Sequence, residues 1–473
     1  MQRLLSFFFT VFTYSVIAQN EYTIDLQWDK EENPMQISQS VTWTNNSTKS
    51  QSKVYLLDWN HAYSSEKSPL GLFLANEFDY KIIRANKKMR GSTQLTSIAH
   101  NNRALSWKRM TNQLDVIEIS FPKAIVPNAS VSFSIEYAVN LPDAAIFNYG
   151  KGNNSVHAQQ WHLILATLNR DGSWNLDSNL GVDPPRTPQV KTTYTISLPK
   201  TYSLVSPGIK TESVAPLIAE KDKKFTSVPF GDGTLITDML PKEKPTPELE
   251  ITLDEMAEFI SSYFPSISNT LLLASEKDYA QRPILGLETL PTFVGAFSSI
   301  QRTELPLLKI LLDQCVLNFH QTQKEGSSWV LEGISIYLWN QYVNAKYPNL
   351  KMMGRLNEWP IIKNYNFTQA PFYRLWEISA NISANKNIGQ ELSQPNTKLT
   401  RYNRKVANPS RAGLALLYLD AYLEVGVLNQ VIKTLPQSER LDMVLREKLS
   451  ESTDKPIDWF FEHYIKQRNN GDL

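Results

Sequence analysis

None of the six histidines is followed by glutamate, so the chain has no H-E-x-x-H, the pattern that sets two imidazoles at i and i+4 around one metal. A G-x-S-x-G elbow, a P-loop and a G-x-G-x-x-G turn are absent too, which removes the commonest signatures of serine hydrolysis, nucleoside triphosphate binding and dinucleotide binding. Cys315 is the single cysteine, so no intramolecular disulfide can form. The fold must rest on core burial, for which 473 residues are ample. A formal net charge of +1 gives no bulk attraction to nucleic acid or to an anionic membrane. Beyond residue 18 no apolar run approaches the roughly 20 residues of a membrane-spanning helix.

What is present begins with a leader. Gln2 and Arg3 precede an apolar run from Leu4 to Ile17, and Ala18 offers a small residue ahead of Gln19. That pattern predicts a signal peptide over residues 1–18 and an exported protein, periplasmic or extracellular, with no stable membrane span after signal removal.

The chain changes character near its middle. Tyr22-Thr23-Ile24-Asp25-Leu26 and Val131-Ser132-Phe133-Ser134-Ile135 alternate apolar and polar residues with period two. Clusters such as Asn45-Asn46-Ser47 separate these runs. The pattern predicts an antiparallel saddle or sandwich over 19–205, followed by a connecting segment over 206–249 that includes the stiff Pro241–Pro247 loop. Beyond it, helices are expected at 251–264, 307–320, 329–342, 411–424 and 457–466, with a short buried strand at 269–275. Leu308, Leu311, Leu312 and Cys315 fall on one apolar stripe, so Cys315 reads as core rather than nucleophile. The fold class is multidomain β and α+β.

Four stretches of the second half resemble the gluzincin metallopeptidases of the aminopeptidase N type. Gly286-Leu287-Glu288-Thr289 is similar to a G-x-M-E-N segment, and Val316-Leu317-Asn318-Phe319-His320-Gln321 resembles H-E-x-x-H-Q with its first two letters rewritten. Trp329-Val330-Leu331-Glu332-Gly333 through Leu338 resembles the W-L-x-E-G-x-x-x-Y-L helix, and Trp459-Phe460-Phe461 a recurring W-F-F segment. With the leader, the resemblance implies an exported bacterial branch of that family. It implies a thermolysin-like, mostly helical domain over 250–473 behind the β saddle. It also implies that His320 and Glu332 are vestigial zinc ligands, and that Gly286 and Glu288 belong to a site for the substrate's free amine.

The departures bear on mechanism. Val316 stands where the first zinc-binding imidazole belongs, and Leu317 where the general base belongs. Glu332 follows His320 by twelve residues, fewer than the family spacing. Pro409 and Ser410 precede Arg411-Ala412-Gly413 where the family carries an oxyanion-stabilising Tyr. The expectation is a degenerate, non-catalytic protein that binds peptides or a protein partner, with no cofactor required, and with zinc as the one candidate. Two alternatives stay open. One is an active zinc-dependent aminopeptidase with unmatched ligands, drawn from His157, His162 and His463. The other is a surface or periplasmic adhesion or assembly factor acting through the β domain.

Overall fold

The computed structural model describes residues 20–466 except 183–189, 207–209, 212–214, 242–244, 266–270, 282, 285–286, 288–294, 320–327, 362 and 437–439. Strands β1 (Asn20–Gln27), β2 (Met35–Thr44), β3 (Gln51–Leu57), β4 (Ser92–His100), β5 (Gln113–Ile125) and β6 (Ser130–Asn140) build the first domain with β7 (Ser155–Ala158), β8 (Val190–Ser197) and β9 (Leu217–Glu220). β2 and β6 bury every second residue, as the period-two sequence requires. They lie mid-sheet in a seven-stranded order of 210–211, β8, β1, β2, β6, β4 and 103–104. The expected antiparallel pairing holds throughout this sheet except between β1 and β8, which run parallel from Asn20 opposite Val190. Two four-stranded sheets, one centred on β3 and β5 and one on β9 and β7, and a two-stranded ribbon of 167–168 with 174–175 accompany it. Their side chains, including Trp43, Ile117, Trp161 and Leu217, share one core.

Helix α1 (Pro69–Asn76) interrupts this β domain between β3 and β4. Its start is written locally: the Ser68 hydroxyl accepts the Gly71 amide at 3.1 Å, and Pro69 occupies the first turn. Leu70 and Leu74 bury against Tyr63, Ile82 and Phe147 in a small satellite core.

The segment 206–249, read as a connection, carries strands of its own. β9 completes a sheet of the first domain, whereas β10 (Thr226–Phe230) and β11 (Gly233–Thr237) form a hairpin that belongs to the second. β11 pairs in parallel with β12 (Leu271–Ala274). All four residues of β9 are buried, so it has no alternating face for sequence periodicity to reveal.

Helices α2 (Pro247–Tyr263), α3 (Ser299–Phe319), α4 (Ser328–Lys346) and α5 (Asn408–Tyr422) dominate the second domain and surround a core that includes Leu308, Leu311, Tyr337 and Leu416. α3 begins eight residues before the expected start at 307, with Pro306 inside it. A proline there forfeits a backbone bond at a cost of about 3 kcal/mol. Complete burial of Leu305, Leu307 and Leu308 offsets that cost. The helix opens with a capping box, Ser298 and Gln301 each holding the other's amide at 3.0–3.2 Å. The expected helix at 457–466 is a short π-helical turn, Phe460–Tyr464.

A buried ion pair joins the domains. Glu77, just after α1, receives the Arg404 guanidinium bidentately at 2.6 and 2.9 Å, and Arg404 also stacks over Phe73.

Candidate functional site

Described residues of the four family-like stretches, Leu287, Val316, Trp329 and Phe460, share one core. Gly333 of α4 faces α5 so closely that an added Cβ would sit 3.1 Å from the Ala412 carbonyl oxygen. Gly413 faces back toward α4, where a Cβ would fall 2.2 Å from Ile336 Cγ2. The glycine of the E-G pair and the glycine after Arg411-Ala412 thus permit one helix crossing. Trp329, at the head of α4, packs edge-on against Phe460 and Phe461, which ties the W-F-F segment to the same core. Leu287, between Gly286 and Glu288, is buried in it as well.

Val316 is buried at 1% exposure on α3, with Cys315 beside it fully buried and Leu317 half-buried. Burial pushes the Cys315 thiol up to about 12, with the Asp313 carboxylate adding to the shift, so the group is a neutral, unreactive part of the core. Asp313, one turn earlier, is already committed. Its carboxylate receives Lys309 Nζ at 2.6 Å and the Ser335 hydroxyl of α4 at 2.5 Å. The polar link between α3 and α4 is therefore an internal ammonium–carboxylate–hydroxyl chain.

Of the predicted site residues, Glu332 is half-buried near the start of α4 and is engaged with a neighbour. His320, Gly286 and Glu288 lie outside the described residues. Ser410, where the family pattern carries Tyr, is buried with its hydroxyl donating to the Val406 carbonyl at 2.7 Å. Arg411, also buried, donates to the Gln390 carbonyl, and burial lowers its pKa.

The three alternative histidines are not brought together. His162 lies in the β-domain core, with Nδ1 on the Leu163 carbonyl at 3.0 Å and Nε2 on the Tyr194 hydroxyl at 3.1 Å. Burial lowers it to about 4. His157, on β7, faces Asp278 of the second domain at 3.7 Å and is lowered by burial, which outweighs the attraction of that carboxylate. His463 is exposed on the C-terminal turn. Among the described residues no three His, Cys, Asp or Glu side chains converge as a metal site. The described donors near α3 and α4 thus do not by themselves fit a catalytic zinc, which takes three protein ligands and an open position.

No family model matches the chain, and no curated protein does. Solved structures match it over nearly its full length. An M1 zinc metallopeptidase from Deinococcus radiodurans aligns with 95% of this chain and 94% of its own, at 12% identity and a TM-score of 0.55. A mutant two-domain M1 zinc metallopeptidase bound to L-arginine covers 95% of each chain at 13% identity and a TM-score of 0.53. A mutant of the Deinococcus enzyme bound to a Tyr-Ser-Ala substrate covers 95% of each at 12% and 0.51. At these identities the likeness establishes architecture: the chain has the two-domain fold of the M1 zinc metallopeptidases, a β-rich first domain and a helical second one.

Proposed function

We propose that this is an exported, non-catalytic protein of aminopeptidase-like fold that binds peptides or a protein partner. The observation that carries the reading is the apolar character of α3 at Val316 and Leu317. A helix that activates water on zinc spends these positions on an imidazole and a carboxylate. Here Val316 is fully committed to the core, and the nearest carboxylate on the helix, Asp313, is neutralised by Lys309. The hydroxyl of Ser410, in the place of the oxyanion donor, is spent on its own backbone.

Peptide recognition rests on Glu288, whose family counterpart grips a free amine. That contact does not need the metal, and a charge-assisted hydrogen bond contributes about 1.5–3 kcal/mol, enough for selective but weak binding. The experiment has two readouts on the purified full chain. Elemental analysis should give far less than one zinc per chain, and a stoichiometric, chelator-sensitive zinc would overturn the non-catalytic reading. Calorimetry should show tighter binding of peptides with a free N-terminus than of their acetylated twins, with Glu288→Gln removing the difference. Equal affinity for both forms would remove the peptide-end assignment.

A further inference from the structure

A pocket lies away from the α3–α4 face, at the seam between the domains. It has a volume of about 340 Å³, the size that accommodates one or two amino-acid residues or a small organic ligand. Phe78, Asp79, Tyr80, Lys81 and Arg84 line it from the first domain and Arg401 from the second. The charges do not balance. Asp79 is shared by Lys81 at 3.2 Å and Arg401 at 3.9 Å, and Arg84 makes no ion pair among the described residues. Three cations against one carboxylate leave the pocket with an excess of positive charge.

The backbone supplies an independent observation. α1 ends in a Schellman arrangement, with the Asp79 amide on the Leu74 carbonyl at 2.8 Å and the Phe78 amide on the Ala75 carbonyl at 3.0 Å. The residue between must be left-handed, a place ordinarily given to glycine. Here it is Phe78, at φ 60°, a residue 81% exposed that lines the pocket. A bulky residue in this conformation is strained, and an exposed ring recovers little by burial. Strain of this kind persists where the side chain serves a purpose beyond local stability. Tyr80, 39% exposed, adds a second aromatic surface on the same rim. The element is also rigidly mounted, because Glu77, the neighbour of Phe78, is clamped to the buried Arg404.

We propose that this pocket binds a carboxylate that carries an aromatic or apolar group, with Arg84 and Arg401 receiving the anion and Phe78 and Tyr80 the apolar body. An unpaired guanidinium in a partly enclosed, positively charged recess favours a carboxylate by two parallel hydrogen bonds. The adjoining rings account for the apolar part. The same chemistry is offered by the C-terminus of a peptide and by a free aromatic acid.

The test uses the full chain and N-acetyl-L-phenylalanine, whose blocked amine makes it blind to recognition of a free N-terminus. Calorimetry should give saturable binding at least tenfold tighter for the acid than for N-acetyl-L-phenylalaninamide. Arg84→Ala and Arg401→Ala should each abolish that preference, and both side chains are exposed enough for the fold to survive. Phe78→Gly should raise the melting temperature, by relieving strain, while weakening the acid. A blocked peptide ending in a free Phe carboxylate is then compared with 3-phenylpropionate, and the tighter of the two identifies the source. Equal affinity for acid and amide, or a preference that survives Arg84→Ala, overturns the proposal. Failure here leaves the Glu288 reading untouched, since no arm of this test contains a free amine.

Discussion

Glu304, in the second turn of α3, and Val316, near its end, lie in the same helix and the same core, and they meet opposite surroundings. The Glu304 carboxylate is completely buried, yet it accepts the hydroxyls of Tyr342 and Tyr347 at 2.5 Å each and Lys346 Nζ at 2.7 Å. Lys346 reaches Glu255 of α2 as well, so one ammonium, held between two carboxylates, ties α2, α3 and α4 together. Around Val316 the neighbours are Cys315, Leu312 and the apolar face of the core. The difference teaches that this helix retains buried charge where tyrosines and a lysine neutralise it for structure. Near its end, at Val316, it is apolar.

The largest expected effect tests the polar end. Glu304→Ala leaves Lys346 and two tyrosine hydroxyls without their shared acceptor and should cost about 3–5 kcal/mol. Denaturant or thermal unfolding reads it. A cost below about 1 kcal/mol would erase the contrast between the two ends, because the carboxylate would then be doing no more than a solvated one.

Next comes a comparison with the first domain, which buries an imidazole. His162 has its pKa held near 4, below the ordinary 6.5, by burial. The unfolded chain protonates first as pH falls, so this contribution to stability is fully present above about pH 6.5 and is lost as pH drops toward 4. Its size is on the order of 3 kcal/mol. His162→Gln should flatten this part of the pH–stability curve. A curve unchanged by the substitution would show that acid lability comes from elsewhere.

The helix crossing gives a smaller effect. Gly413→Ala drives a methyl into Ile336 and should cost about 2 kcal/mol, with Ile336→Ala restoring part of it. Gly333→Ala, whose Cβ meets the Ala412 carbonyl at 3.1 Å, should cost less. The reverse order would mean that the two helices shift apart at Gly413 more easily than at Gly333.

The last prediction converts one end of α3 toward the other. Val316→His with Leu317→Glu should lower the stability of the metal-free protein by about 1–2 kcal/mol, through burial of polar groups. It should also raise zinc affinity markedly, while hydrolysis stays poor because Ser410 cannot replace the missing oxyanion donor. Unchanged zinc affinity in a folded double variant would show that α3 is not in the family register.

Much of the fold was legible because it is written in local chemistry. The period-two runs at β1 and β6 announced their sheet, and the apolar stripe through Leu308, Leu311, Leu312 and Cys315 announced α3. Where the reading went astray, a stronger signal lay nearby. The helix expected from 307 starts at Ser299, where Ser298 and Gln301 form a capping box, and Ser68-Pro69 marks α1 inside a region read as mostly strands. The candidate site was legible only as residue types, above all the apolar Val316 and Leu317 in a stretch that resembles H-E-x-x-H-Q. What each surviving residue does was not.

By itself the sequence determined two domains of different character and the absence of an H-E-x-x-H helix, since periodicity and residue identity are properties of the chain alone. Only the tertiary structure decided that Gly333 and Gly413 serve one helix crossing and that Asp313 is neutralised by Lys309. It alone decided that His157, His162 and His463 lie in separate places, and that Arg84 and Arg401 share a pocket with Phe78. The reason is distance along the chain: Arg84 and Arg401 come from different domains, and no local pattern records which distant residue closes a charge or fills a gap.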